Sequence, residues 1–330
     1  MTEAMEPILE PELRIVDAHH HLMDGPGHSY GIDDYAADCA AGHDIRASVY
    51  IEVRQHYRDA GPEHLRPVGE TEFVASLAER AEAGAWQGRR LCAGIVSYAD
   101  LAVGDRVGEV LDAHIEAGGG RFKGIRRGVY WDSDEAVYGQ IAIRPPPGLL
   151  LDAEFARGFA QLQARGLSFD AVLFHPQLPE LADLARRFPD TPIILNHLGF
   201  RLGVGRHALD PAGATEQWRQ GLAAVAECPN VLMKGGGFGI RLWGFDIAEG
   251  ERPPSEVLAE LWRPFFETGL ELFGIERVIL ESNYPVDGQT TTFTALWNAF
   301  KRLTCGCSDD EKRMLYRENA NRAYRLGLET

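Results

Sequence analysis

At 330 residues, with 45% hydrophobic and 25% charged side chains, the chain has the balance of an ordinary globular protein able to bury a large core. Its 49 acidic against 33 basic residues give a net charge of −16 at pH 7. That field repels phosphate backbones and anionic lipid and argues against nucleic acid or a membrane surface as partner. No apolar run reaches the ~18 residues of a membrane span, and Met1 to Pro11 is acidic where a secretion signal needs a basic start and a greasy core. A cytoplasmic location is expected.

Eight short apolar runs follow one another: Leu13 to Val16, Ala47 to Val53, Leu91 to Val96, Phe122 to Ile125, Phe169 to Phe174, Pro192 to Leu195, Val231 to Met233 and Val278 to Leu280. Amphipathic stretches lie between most of them, at Glu70 to Ala83, Arg106 to Ala117, Ala153 to Arg165, Glu180 to Phe188, Glu216 to Cys228 and Ser255 to Phe273, with Phe293 to Leu303 after the eighth. Such alternation predicts a single α/β domain over 1–330, a (β/α)8 barrel, with an N-terminal tail over 1–12 and C-terminal helices at about 308–326. Two connections, Tyr130 to Leu150 and Phe238 to Pro254, are longer than a plain crossover. Both leave carboxyl ends of strands, where barrel sites are built, and are expected to form lids or pocket walls. Gly118-Gly119-Gly120 and Gly235-Gly236-Gly237 lack phosphate-loop and dinucleotide spacing and read as tight turns. Cys305-Gly306-Cys307 is a lone C-x-C with no partner motif.

In a barrel, chemistry belongs at the carboxyl ends of the strands. Polar residues stand there in this chain: His19 and His21 after the first run, Lys123, Arg126 and Arg127 at the fourth, His175 after the fifth, and Asn196 and His197 after the sixth. Lys234 follows the seventh run, and Glu281, Asn283 and Asp287 the eighth. Strand alternation points His19 and His21 one way and His20 the other, so His20 is read as structural. Trp131 and Tyr284 lie near the expected mouth and are candidates to stack on a substrate ring. His28, His43, His56, His64, His114 and His207 show no distinguishing spacing.

Asp17-Ala18-His19-His20-His21, Gly124-Ile125-Arg126, Phe174-His175-Pro176, Leu195-Asn196-His197-Leu198-Gly199, Val231-Leu232-Met233-Lys234 and Glu281-Ser282-Asn283-Tyr284-Pro285 resemble, in order, the motifs of the amidohydrolase-related barrel family. The similar branch includes sugar lactonases and 2-pyrone-4,6-dicarboxylate lactonase, and a more distant one holds metal-dependent decarboxylases. The resemblance implies a hydrolase of a small cyclic ester or related carboxylate-bearing molecule. It makes His19, His21 and His197 catalytic, and Arg126 a carboxylate-binding arginine that Lys234 assists. It gives His19, His21 and His175 as ligands of one divalent ion, Zn or Mn. The family places an Asp at strand eight where this chain has Asn283, and a neutral amide is neither a base nor an anionic ligand. The metal is therefore expected to be weakly bound or absent, and the base to be Asp287, Glu281 or Glu52. A metal-dependent decarboxylase, or a silent ligand-binding barrel, is the alternative. A homo-oligomer is compatible with the sequence.

Overall fold

Eight parallel strands pair strictly in sequence order: β1 (Arg14–His20), β2 (Asp44–Ile51), β3 (Arg90–Ser97), β4 (Phe122–Gly128), β5 (Ser168–Val172), β6 (Ile193–Leu195), β7 (Val231–Lys234) and β8 (Val278–Ile279). The computed structural model describes residues 6–25, 29–138, 141 and 143–329. His28, part of the Tyr130 to Leu150 connection (139, 140 and 142) and the first five residues of the tail lie outside these. Closure comes from the backbone beyond β8: Asn283 N–H donates to His19 O and His21 N–H to Tyr284 O, both at 2.8 Å. The result is a nearly closed single-domain (β/α)8 barrel.

All eight expected strands are present, and each expected helix has its counterpart. Apart from the single turn Arg206–Leu209, one helix, Ile32–Cys39, was not expected. At eight residues it is too short for apolar spacing to announce it. The crossover helices turn one stripe inward. Leu178–Arg187, for example, buries Leu178, Leu181, Ala182, Leu184 and Ala185 and carries Arg186 and Arg187 in its last turn. The C-terminal residues are less regular than helices over 308–326 would be. Asp309–Arg313 passes into a wider turn at Met314–Glu318 before Asn319–Ala323.

Val16, Ala18, Val49, Ile51, Ile194 and Ile279 meet inside the barrel, and Ala320, Tyr324 and Leu326 plug it from below. The interior is therefore packed, and the site can form only above this floor. The β1–β2 register shifts between Asp17 and His20. This bulge sends His19 and His21 toward the barrel axis while Asp17 and His20 face the helices. Ser282 Oγ–H and Tyr35 O–H donate to Asp17 at 2.6 and 2.8 Å. The His20 ring stacks on Tyr35 at 3.9 Å and sits 3.0 Å from Ser48 Oγ. Burial lowers the His20 pKa to about 3, as expected of a structural, neutral imidazole.

Candidate active site

His19, His21, Lys234, Glu281 and His197 converge at the top of this floor. Lys234 is wholly buried between Asp170 Oδ2, at 2.9 Å, and His19 Nδ1, at 3.1 Å. His19 Nε2 lies 3.1 Å from His21 Nε2, and His21 Nδ1 lies 2.8 Å from the carbonyl of Ile51. A carbonyl only accepts, so His21 carries its proton on Nδ1 and offers a lone pair at Nε2. For these four groups alone, one set of tautomers completes the row. Lys234 donates to His19 Nδ1, His19 Nε2–H to His21 Nε2, and His21 Nδ1–H to Ile51. Burial, reinforced by Lys234 for His19 and by Arg126 for His21, drives both imidazole pKa values well below the ordinary range and keeps the rings neutral.

Glu281 is the hinge of the cluster. Its Oε1 accepts from His197 Nδ1–H at 2.8 Å, and its Oε2 lies 2.7 Å from His19 Nδ1. That second contact is close but not aligned as a hydrogen bond, so Oε2 is buried without a donor. With Nδ1–H fixed on the carboxylate, the second nitrogen of His197 is free to act as base or ligand. The turn carrying His197 is strained, because His197, Leu198 and Phe200 all have φ between 45 and 53°. Each such residue costs about 1–2 kcal/mol. Trp218, buried on Pro211–Ala226, steadies the turn by donating its indole N–H to Leu198 O at 2.7 Å.

Gly235-Gly236-Gly237 is not a tight turn but a place of close approach. A Cβ on Gly237 would lie 2.2 Å from His197 Nδ1, and one on Gly236 would lie 2.4 Å from Glu281 Cγ. Gly237 also has φ +74°, a second reason for glycine there. The run lets β7 press its continuation against the His197–Glu281 pair. Gly118-Gly119-Gly120 does form the turn expected of it, with Gly119 and Gly120 in the left-handed region.

Several expected roles meet a different arrangement. Arg126, read as free to hold a carboxylate, gives Nε to Glu52 at 2.8 Å and Nη2 to the Glu52 carbonyl, leaving Nη1 3.3 Å from His19 Nε2. Glu52 is thereby an ion-pair partner rather than a free base. Lys234 has no exposed surface and reaches the site through His19 and, at 3.9 Å, Glu281 Oε2. His175, read as a third metal ligand, turns away from the barrel axis. Its Nδ1 accepts Leu202 N–H at 3.2 Å and its ring packs on His207 at 4.9 Å. The inward positions of β5 are instead Asp170 and Val172, two residues apart.

Asp287 is fully buried. It accepts from Asn283 Nδ2 at 2.7 Å and from Gly239 N–H at 2.9 Å. Those donors favour the carboxylate, but burial outweighs them and raises its pKa well above the usual range. The pair leaves Asn283 as a strut at φ +51°. Trp131 is pinned through its backbone by the Gln177 amide. Tyr284 donates to Thr291 O at 3.0 Å and packs edge-on against Phe293. Neither lines the cleft above the histidines.

That cleft, of about 390 Å³, is walled by both long connections, through Tyr130, Val137 and Ile141 on one side and Ile240, Arg241 and Leu242 on the other. Asp132, on the first connection, accepts from Arg206 and His207 at 2.9 Å and so ties that wall to the segment after β6. Phe200, on the cleft wall, places its ring 5.4 Å from that of His197. Asp170, Tyr324, the glycine run and the cleft aromatics were not anticipated. An Asp inside the apolar run Ser168–Val172 was the one available signal.

The profile of the amidohydrolase family matches residues 16–326, and the chain belongs to that family. It is 30% identical to protein y4mH of Sinorhizobium fredii over 96% of this chain and 99% of that protein. An L-fucono-1,5-lactonase of Burkholderia multivorans is 25% identical over 94% and 96% of the two chains. A zinc-bound amidohydrolase structure from Burkholderia multivorans shares the fold, with a TM-score of 0.72 at 21% identity, over 94% of this chain and 99% of the other. Among the described residues, no helix is long and apolar enough to cross a membrane.

Proposed function

We propose that the protein hydrolyses a lactone, with His197 as the base. The observation that carries this reading is the buried Glu281 carboxylate 2.8 Å from His197 Nδ1. It orients the imidazole, and it stabilises the imidazolium formed when Nε2 takes a proton from water. Water adds to the lactone carbonyl, and the developing oxyanion meets Arg126 Nη1 beside His19. The ring C–O bond then breaks and the leaving alkoxide recovers the proton from His197, giving a hydroxy acid. Glu281 is taken up in orienting His197, and Asp287 is buried and capped by Asn283 and Gly239. This arrangement favours His197 over either carboxylate as base. The similarity to named lactonases supports the reaction class.

A divalent cation also fits the cluster. His19, His197 and Glu281 offer ligand atoms within 4.8 Å of one another, and the unaligned Glu281 Oε2 suits an ion better than an imidazole. Such an ion would supply a Lewis acid for the carbonyl and a source of hydroxide. Arg126 and Lys234, each within hydrogen-bonding reach of His19, oppose it by charge. Ion and base would compete for His197, so the test measures lactone hydrolysis in chelator, after addition of Zn²⁺, and in His197→Gln. Turnover that survives chelator, falls with Zn²⁺ and is lost at least ~100-fold in His197→Gln is expected. Turnover abolished by chelator and restored by Zn²⁺ would overturn His197 as base.

A further inference from the structure

The cleft above His197 is unlike one built for a sugar. Ten of its thirteen lining residues are apolar, Val172, Phe174, Phe200, Ile240, Leu242 and Val286 among them, and only Tyr130, Arg241 and Gln289 bring polar side chains to it. The wall adjoins the reacting end. Val172 is the next inward position on β5 above Asp170, which holds Lys234. The Phe200 ring is 5.4 Å from His197, and Val286 directly precedes Asp287. The body of a ligand in the cleft would therefore lie beside His197.

Arg241 is the one cation on this lining. Its two Nη atoms donate to backbone carbonyls, Ile247 O at 3.0 Å and Ala248 O at 3.3 Å. No carboxylate pairs with it among the described residues. In a chain of net charge −16, an arginine left without an acid at the edge of an apolar cleft is positioned for an anion on the ligand. We infer that the lactone taken here has an alkyl or aryl body and carries one carboxylate, with the body against Val172, Phe200 and Ile240 and the carboxylate on Arg241. This rests on the lactonase reading above. A polyhydroxylated lactone would bury several hydroxyls against Val, Ile and Phe, and each hydroxyl left without a partner lowers affinity by roughly tenfold or more.

The experiment compares kcat/KM for dihydrocoumarin, dihydrocoumarin bearing a ring carboxylate, and L-fucono-1,5-lactone, the last being the compound in the name of a relative. The carboxylated aryl lactone is expected to exceed the sugar lactone by at least ~100-fold. Arg241→Gln is expected to bring the carboxylated and neutral aryl lactones to within about threefold of each other. Val172→Thr, which adds a hydroxyl at nearly constant volume, narrows the gap to the sugar lactone. A sugar lactone used as well as the aryl one, or an aryl pair that Arg241→Gln leaves unchanged, would overturn the inference while the lactonase reading stood.

Calorimetry with the ring-opened products separates the two claims. If no lactone turns over, the lactonase reading fails, but ortho-hydroxyphenylpropanoate is still expected to bind more tightly than L-fuconate. The opposite order refutes the cleft assignment.

Discussion

Glu281→Gln isolates the charge that organises the site. The side chain keeps its shape, but one oxygen becomes an NH2 group. If the amide oxygen faces His197, Nδ1–H keeps a partner, yet the imidazolium loses its counter-charge. A hydrogen bond to a charged group contributes about 1.5–3 kcal/mol against about 1 for a neutral one. If the NH2 faces His197 instead, the ring must carry its proton on Nε2 and cannot accept one from water. In the serine-protease triad the corresponding Asp-to-Asn change costs about 10⁴ in kcat through that wrong tautomer. The two arrangements bracket a loss of about 10- to 10,000-fold in kcat. KM should stay within about threefold, since Glu281 has no exposed surface and cannot touch substrate. Lys234 loses an acid 3.9 Å away but keeps Asp170 at 2.9 Å, so the stability cost should be only about 1–2 kcal/mol. A pH-stat assay on a hydrolysable lactone, with urea unfolding as control, decides it. A folded Glu281→Gln protein within threefold of the parent kcat would refute the His197–Glu281 mechanism.

Gly237→Ala should disable the same pair from the other side, because its methyl would lie 2.2 Å from His197 Nδ1 at φ +74°. A drop in kcat of at least ~100-fold, with about 1–3 kcal/mol lost in urea unfolding, is expected, and an unaffected rate would show that the ring is not held there. Arg126→Gln removes a cation 3.3 Å from His19 Nε2 and should tighten Zn²⁺ binding at least ~10-fold by calorimetry; unchanged affinity would place the ion elsewhere. Glu70, buried with its Oε1 held by Tyr50 O–H and Val53 N–H at 2.8 Å, has its pKa raised by burial, and further by Glu52, from 4.5 to about 7. Between those values the folded state holds a proton that the unfolded state has released, so this group's contribution to stability falls as pH rises from about 4.5 to 7, by up to about 3 kcal/mol. Urea midpoints of the parent minus those of Glu70→Gln should decline across that window. A flat or rising difference would show that Glu70 ionises freely.

The sequence by itself determined the barrel and the relative direction of the histidines on β1. Eight apolar runs separated by amphipathic stretches admit few architectures, because each strand buries both faces and each helix one stripe. Strand alternation similarly placed His19 and His21 together and His20 apart, since side-chain direction along β1 is a local property. Which charges neutralise which was decided only by the tertiary structure. Arg126 and Glu52 are 74 residues apart in the chain, and Lys234 and Asp170 are 64. No local pattern records that Lys234 closes on Asp170, or that Arg126 spends Nε and Nη2 on Glu52. The same holds for Glu281, which a sequence presents as one more acid after an apolar run, and which the fold sets between His19 and His197. His175 marks the limit most plainly. Its motif matches the strand-five histidine, but β5 ends at Val172 and the chain then turns, so the ring points at His207. The cleft, too, is assembled from segments that meet only on barrel closure, and its apolar wall follows from their convergence rather than from any one stretch of residues.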